Sequence, residues 1–206
     1  MARGERPGTH EAGPYRIYLA GPAVFLPNPT AYGAAKKALC RRYGFQGIFP
    51  FDSDSDATPR PPSFEMACDI SRINEQLIRD SDMVVADMTP YHGISMDVGT
   101  AFEMGFARAL GKPVAGYSNC ALPLIDRARA SLGPIGVDPL GRPQVRIGEA
   151  QGMALEDFGM IDNLMLHGAI VHAGCPLVAE DVPAGERYTS LAVFEKLLAA
   201  LADSPS

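Results

Sequence analysis

Short, strongly apolar runs alternate along this chain with longer stretches in which apolar residues recur every three or four positions. YRIYLA (15–20) reads as a buried strand that ends in a Gly-Pro turn, and TAYGAAKKALCRRY (30–43) as a helix stopped by Gly44. GIFPF (47–51) forms a second short strand and leads into the polar loop DSDSDATPRPP. Ser63 caps a helix over about 64–80, with Phe64, Ala67, Ile70, Ile73, Leu77 and Ile78 supplying its apolar face. MVVAD (83–87) and PVAGY (113–117) are the third and fourth strands, with another helix between them. Residues 119–159 break the rhythm: rich in glycine and proline and without a sustained period, they read as a lid or an arm reaching a neighbouring subunit. A helix around DNLMLHGAIVHA follows, and then SLAVFEKLLAALA, with Leu191, Phe194, Leu197, Leu198 and Leu201 at helical spacing. Alternating strands and helices imply parallel pairing through right-handed crossovers. The expected fold is therefore α/β, a small doubly wound, flavodoxin-like or Rossmann-like parallel sheet with flanking helices. Residues 1–14 read as a disordered leader and 15–203 as one domain.

Composition narrows the function. A chain of 206 residues that is 47% hydrophobic has enough apolar material for one core. A net charge of −6 and a pI near 5.2 argue against a nucleic-acid backbone or an anionic membrane as partner. Cys40, Cys68, Cys120 and Cys175 are scattered through apolar settings with no C-x-x-C pair, the pattern of reduced thiols in a cytoplasmic protein. His10, His92, His167 and His172 lack metal-ligand spacing with them. The apolar stretch IYLAGPAVFLP is too short to span a bilayer and is broken by Pro22. Neither a metal nor an organic cofactor is called for.

The segment DVGTAFEMG (97–105) carries the most chemical information. It opens a helix just beyond the third strand, where open α/β sheets bind ligands, with Thr100 as the expected N-cap and Glu103 in the first turn. Two roles fit Glu103. The helix dipole favours an ionised carboxylate there, a candidate nucleophile. Thr-x-x-Glu is also a capping box, in which the glutamate only returns a hydrogen bond to the cap residue. At the end of the first strand, IYLAGPAVF places Tyr18 before a turn where Gly21 lets the backbone approach a ligand. It is neither a dinucleotide fingerprint nor a P-loop.

Taken together, IYLAGPAVF, SDMVVADMTPYHGISMDVGTAFEMGFARALGKPV and DNLM resemble the nucleoside 2-deoxyribosyltransferase family, from about Tyr15 to about Met165. The resemblance implies that Glu103 attacks the anomeric carbon of a 2′-deoxynucleoside and that a second base resolves the resulting ester. It implies that Asp97 and Tyr18 shape the sugar pocket, and that Asn163 and Met165 enter it from a neighbouring subunit of a homo-oligomer with shared active sites. Related deoxynucleotide hydrolases carry a serine where this chain has Asp97. A carboxylate there would repel a 5′-phosphate, so nucleosides are the expected donors. One position departs from the pattern: where some transferases have an aspartate that handles the departing base, this chain has Asn74. Asparagine binds a base but donates no proton as an acid does, which leaves Asp52, Asp54 and Asp87 as alternatives. Two other readings stay open on sequence alone, an N-glycosidase that passes the sugar to water and a nucleoside sensor without turnover.

Overall fold

A computed structural model describes residues 13–53, 61–146, 148 and 150–203; most of the expected leader, residues 1–12, lies outside them. The core is a five-stranded parallel sheet built from β1 (Tyr15–Ala20), β2 (Phe45–Ile48), β3 (Met83–Asp87), β4 (Val114–Ser118) and β7 (Leu177–Ala179). Its order, β2-β1-β3-β4-β7, is the doubly wound arrangement expected from the sequence. The order reverses between β1 and β3, whose registers pair Tyr18 with Val84 and Ala20 with Ala86. The connections that leave the carboxyl ends of these two strands therefore run to opposite faces of the sheet, the position at which open α/β sheets bind ligands.

Strand alternation sorts the core into two layers. Ile17 and Leu19 point to one face, where they meet Phe49, Val85, Tyr117 and the buried side of the last helix, α6 (Ala192–Ala202). Tyr18 and Ala20 point to the other, packing with Val84, Met88 and Met104 beneath α3 (Val98–Ala109). The first layer also takes Cys40 of α1 (Pro29–Arg42). Burial pushes the Cys40 thiol up to about 11, consistent with an inert structural cysteine.

Several boundaries differ from the sequence reading for identifiable reasons. β2 starts at Phe45, because Gly44 takes a left-handed φ of 81° and turns the chain straight from helix into strand. It ends before Pro50, where a 3-10 turn is closed by the Asp52 carboxylate accepting from the Phe49 N–H at 2.9 Å. The stretch 119–159 is not structureless. It holds α4 (Leu124–Ser131) and an antiparallel hairpin of β5 (Ile135–Val137) and β6 (Pro143–Val145). These elements are too short to print a period. β7 escaped for the same reason, with three residues following Gly174 and Pro176.

α2 (Phe64–Arg79) is capped by Ser63 as expected, its hydroxyl accepting from the Met66 N–H at 3.1 Å. Its apolar face, however, is buried in the chain only at Ile78, while Phe64 is 80% exposed. No helix among the described residues is long and apolar enough to cross a membrane.

Candidate active site

The helix bearing Glu103 begins three residues earlier than the sequence suggests. Asp97, not Thr100, is its N-cap: the Asp97 Oδ2 atom accepts from the Thr100 N–H at 2.8 Å and from the Thr100 hydroxyl at 3.0 Å. An aspartate carboxylate serves this role at least as well as a threonine hydroxyl, and the threonine becomes its client. Glu103 then falls in the second turn, out of reach of the cap. The capping-box role therefore fails, and so does the expectation of a strong dipole effect, which fades beyond the first turn.

Glu103 instead meets Tyr18. Thr100, Met104 and Ala107 are the buried face that seats α3 on the sheet, and Glu103 flanks that face, half-buried. The fully buried Tyr18 side chain rises from β1 and donates its hydroxyl to Glu103 Oε1 at 2.5 Å. That length is typical of an O–H donor on a carboxylate. Burial pushes the Glu103 carboxyl up to about 7; the Tyr18 hydrogen bond opposes the rise, and the nearby Asp97 charge adds to it. Burial and the same carboxylate hold the Tyr18 phenol well above its ordinary range, so it stays protonated and donating. A carboxylate poised near neutrality beside a fixed donor is a functional signature.

α2 closes the other side. Arg79 lies 4.7 Å over the Phe106 ring, tying the end of α2 to α3. Between the two helices runs a cleft of about 230 Å³ lined by Ile70, Asn74, Ile78, Phe102 and Glu103 among others. Asn74 brings a buried side-chain oxygen that has no partner among the described residues. Such an atom is costly unless a ligand or water satisfies it. Asp97 Oδ1 likewise accepts nothing from the described residues, since both of its capping bonds use Oδ2.

Gly21 follows directly on β1, and its role is local. A Cβ there would lie 2.6 Å from the Asp87 Cβ, so the glycine admits Asp87 rather than giving visible room to a ligand. Asp87 is buried, with Oδ1 accepting from the Thr89 N–H at 3.0 Å and Oδ2 from the Tyr117 hydroxyl at 2.8 Å. Each oxygen thus holds a neighbouring group in place, and Asp87 is not part of the cleft lining. Asp52 is occupied by Lys37 and the Phe49 N–H, and Asp54 lies outside the described residues. Asn163 and Met165 sit apart from the cleft lining. Asn163 caps α5 (Leu164–His172), its carbonyl oxygen accepting from the Met165 N–H at 3.0 Å while its amide donates to Glu156 at 2.6 Å. Met165 is 72% exposed.

The structure thus brings together Glu103, Tyr18, Asp97 and Asn74, and leaves Asn163 and Met165 outside. Sequence reasoning missed the fully buried Lys36, which donates to the Tyr117 hydroxyl at 3.2 Å behind Asp87 and whose burial lowers its pKa. A lysine pair in an amphipathic helix gives no signal of which member is buried. No group of three or more acidic, histidine or cysteine side chains suited to a metal occurs among the described residues.

The description "Nucleoside 2-deoxyribosyltransferase" belongs to the family profile that matches residues 17–165, most of the chain. The chain belongs to this family. A solved 2-deoxyribosyltransferase from Leishmania mexicana is 28% identical, covering 90% of this chain and 98% of its own, with a TM-score of 0.58. A conserved Enterococcus faecalis protein, 19% identical over 92% of this chain and 98% of its own, shares the fold with a TM-score of 0.52. An uncharacterised Schizosaccharomyces pombe protein is 29% identical over 165 residues, 77% of this chain and 78% of its own. Membership of the nucleoside 2-deoxyribosyltransferase family supports a deoxyribosyltransferase-type activity, and small-molecule nucleosides and nucleobases as its substrates.

Proposed function

We propose that the protein exchanges nucleobases on 2-deoxyribose by double displacement at Glu103. The observation that carries this reading is the Glu103 carboxylate, held by Tyr18 in a cleft whose opposite wall offers the unpartnered oxygen of Asn74. In the first step a Glu103 oxygen bonds to C1′ of the donor. The N-glycosidic bond breaks, its electron pair stays on the base, and the base takes a proton from solvent. In the second step a nitrogen of the incoming base attacks C1′, the ester bond breaks back to the carboxylate, and the incoming base loses a proton. Two inversions give net retention, and departure of the first base before entry of the second gives ping-pong kinetics. Asn74 contacts the base by hydrogen bonding, and Asp97 Oδ1 accepts from the sugar 5′-hydroxyl.

The test is chromatography of products from 2′-deoxyinosine with and without adenine, with thymidine as a parallel donor. New 2′-deoxyadenosine supports exchange; free base and deoxyribose without exchange would replace this reading with hydrolysis. Because Asp97 would face a 5′-phosphate with like charge, 2′-deoxynucleosides should be preferred over their 5′-monophosphates by roughly tenfold or more in kcat/KM. Equal use of both would remove Asp97 from the sugar site.

The pH profile follows from the cited shift. Glu103 must be ionised to attack, so kcat/KM should rise with pH through an apparent pKa near 7. In Tyr18→Phe the hydrogen bond that holds this pKa down is gone. The acid limb should move to higher pH, and activity at neutral pH should fall roughly 10- to 100-fold. An unmoved limb would show that Tyr18 does not act on Glu103.

The protein is further proposed to assemble as a homo-oligomer with shared sites. Phe102, which lines the cleft, is 56% exposed, and Phe64 and Val98, the first residues of α2 and α3, are 80% and 84% exposed. A second copy would cover this face and bring Asn163 and Met165 of the partner to it. A fully active monomer by light scattering would contradict that assembly.

A further inference from the structure

Beneath the candidate site lies a buried ion pair that joins three separate stretches of chain. Asp162 is completely buried, and its two oxygens receive four donors. Oδ1 accepts from the Ser95 hydroxyl and from the Asn163 N–H at 2.8 Å; Oδ2 accepts from the Met96 N–H at 3.0 Å and from Arg127 at 3.2 Å. Arg127, also buried, reaches from α4 and donates in addition to the carbonyl oxygens of Leu122, at 3.0 Å, and Ile161.

The placement of these bonds matters more than their number. Ser95 and Met96 are the last two residues before Asp97, the cap of the Glu103 helix. Among the described residues, the side-chain and backbone hydrogen bonds that tie Ser95 and Met96 to the chain beyond their own loop both end on Asp162. The loop they terminate follows β3, holds the positive-φ residue His92 (φ 52°), and contains no helix or strand that would fix its far end. On the other side, Asp162 directly precedes Asn163 and holds its N–H. One carboxylate therefore sets the entry to both α3 and α5, and Arg127 fixes that carboxylate in turn.

We infer that Asp162, braced by Arg127, is a positioning residue for the sugar site: it places Asp97, and with it the free Oδ1 atom, against the bound deoxyribose. The inference rests on the proposed role of Asp97 and adds the residues that make that role possible. It predicts that loosening the Ser95 arm of the clamp weakens donor binding through Asp97, while loosening Asp162 itself acts through Asp97 and also through the Asn163 end of α5. Displacements of an ångström at a contacting group are enough to change rates by as much as about 100-fold.

The experiment is a double-mutant cycle on the full chain, with steady-state kinetics for 2′-deoxynucleoside donors and a thermal melt of each variant. Asp162→Asn keeps the shape and removes the charge; Ser95→Ala deletes a single arm of the clamp and serves if Asp162→Asn does not fold. In the wild-type background either change should raise the donor KM, by roughly tenfold for Asp162→Asn and less for Ser95→Ala, with kcat changed much less. In an Asp97→Ala background Ser95→Ala should add nothing further to KM, because its target is gone, and Asp162→Asn should add less than it does in the wild-type background. A merely structural Asp162 would lower Tm and the active fraction, reducing apparent kcat at unchanged KM, and that result overturns the inference. So do KM effects that simply multiply with those of Asp97→Ala. If Asp97→Ala itself leaves KM unaltered, the sugar-contact reading falls and this inference falls with it. If Asp97→Ala raises KM and the clamp variants do not, the inference falls alone.

Discussion

Glu103→Gln is expected to lose at least ~10³-fold of base-exchange activity, since the proposed ester forms on the Glu103 carboxylate. The substitution keeps size and preserves an acceptor for the Tyr18 hydroxyl, so the loss should come without collapse of the cleft. The same change should make the protein more stable in alkaline solution. The folded-state pKa of Glu103, about 7, lies above the unfolded value of about 4.3, so the native state binds the proton more tightly. Wild-type stability is therefore eroded as pH rises from the unfolded pKa through 7, and the full cost is present above it. Glutamine does not ionise and escapes that cost. The gain should be on the order of 1–3 kcal/mol at pH 8 and close to nothing near pH 4, measured by urea unfolding at the two pH values. An active Glu103→Gln protein would dismiss Glu103 as nucleophile, and an equal or lower stability at pH 8 would show that its carboxylate is not burdened by burial.

Gly21→Ala should cost about 3 kcal/mol or more of folding stability. Gly21 has φ 151° and ψ 171°, a region essentially restricted to glycine. The added methyl would also sit 2.6 Å from the Asp87 Cβ, which belongs to β3 and has no flexible end to swing away. Either β1 or β3 must move, and both carry the site: Tyr18 on one, and on the other the start of the loop that leads to Asp97. The expected fall in Tm is roughly 6–12 °C, accompanied by lower activity of the folded fraction. A melting temperature within a degree or two of the parent would mean that the turn relaxes freely and that Asp87 is not closely packed against it.

The parts of this protein visible in its sequence are those with long periods or strong punctuation. β1, β3 and β4 are buried on both faces and read as continuous apolar runs, α2 carries its Ser63 cap, and Gly44 ends α1. β7 and the β5–β6 hairpin have three-residue strands, shorter than any alternation can reveal. The choice between Asp97 and Thr100 as the helix cap was a competition between two good caps three residues apart, and only the backbone decides it. Glu103, Tyr18 and Asn74 come from three different elements, so the cleft that Glu103 and Asn74 line and the Tyr18 bond to Glu103 are properties of the topology, not of spacing. Lys36 and Arg127 are charged residues held inside by partners far away in the chain, and one-dimensional polarity assigns such residues to the surface. Asn163 and Met165 sit apart from the cleft within the chain, and the proposed assembly that would bring them to a partner's cleft is a relation a single chain does not contain.

Isotope exchange tests the central claim most directly. The protein is incubated with 2′-deoxyadenosine and labelled adenine, with no other base, and label in the nucleoside is followed for wild type and Glu103→Gln. A deoxyribosyl-Glu103 ester that forms, releases adenine and recaptures it predicts steady incorporation of label by the wild type and none by the variant. Release of adenine without incorporation, or incorporation that survives in Glu103→Gln, would contradict it.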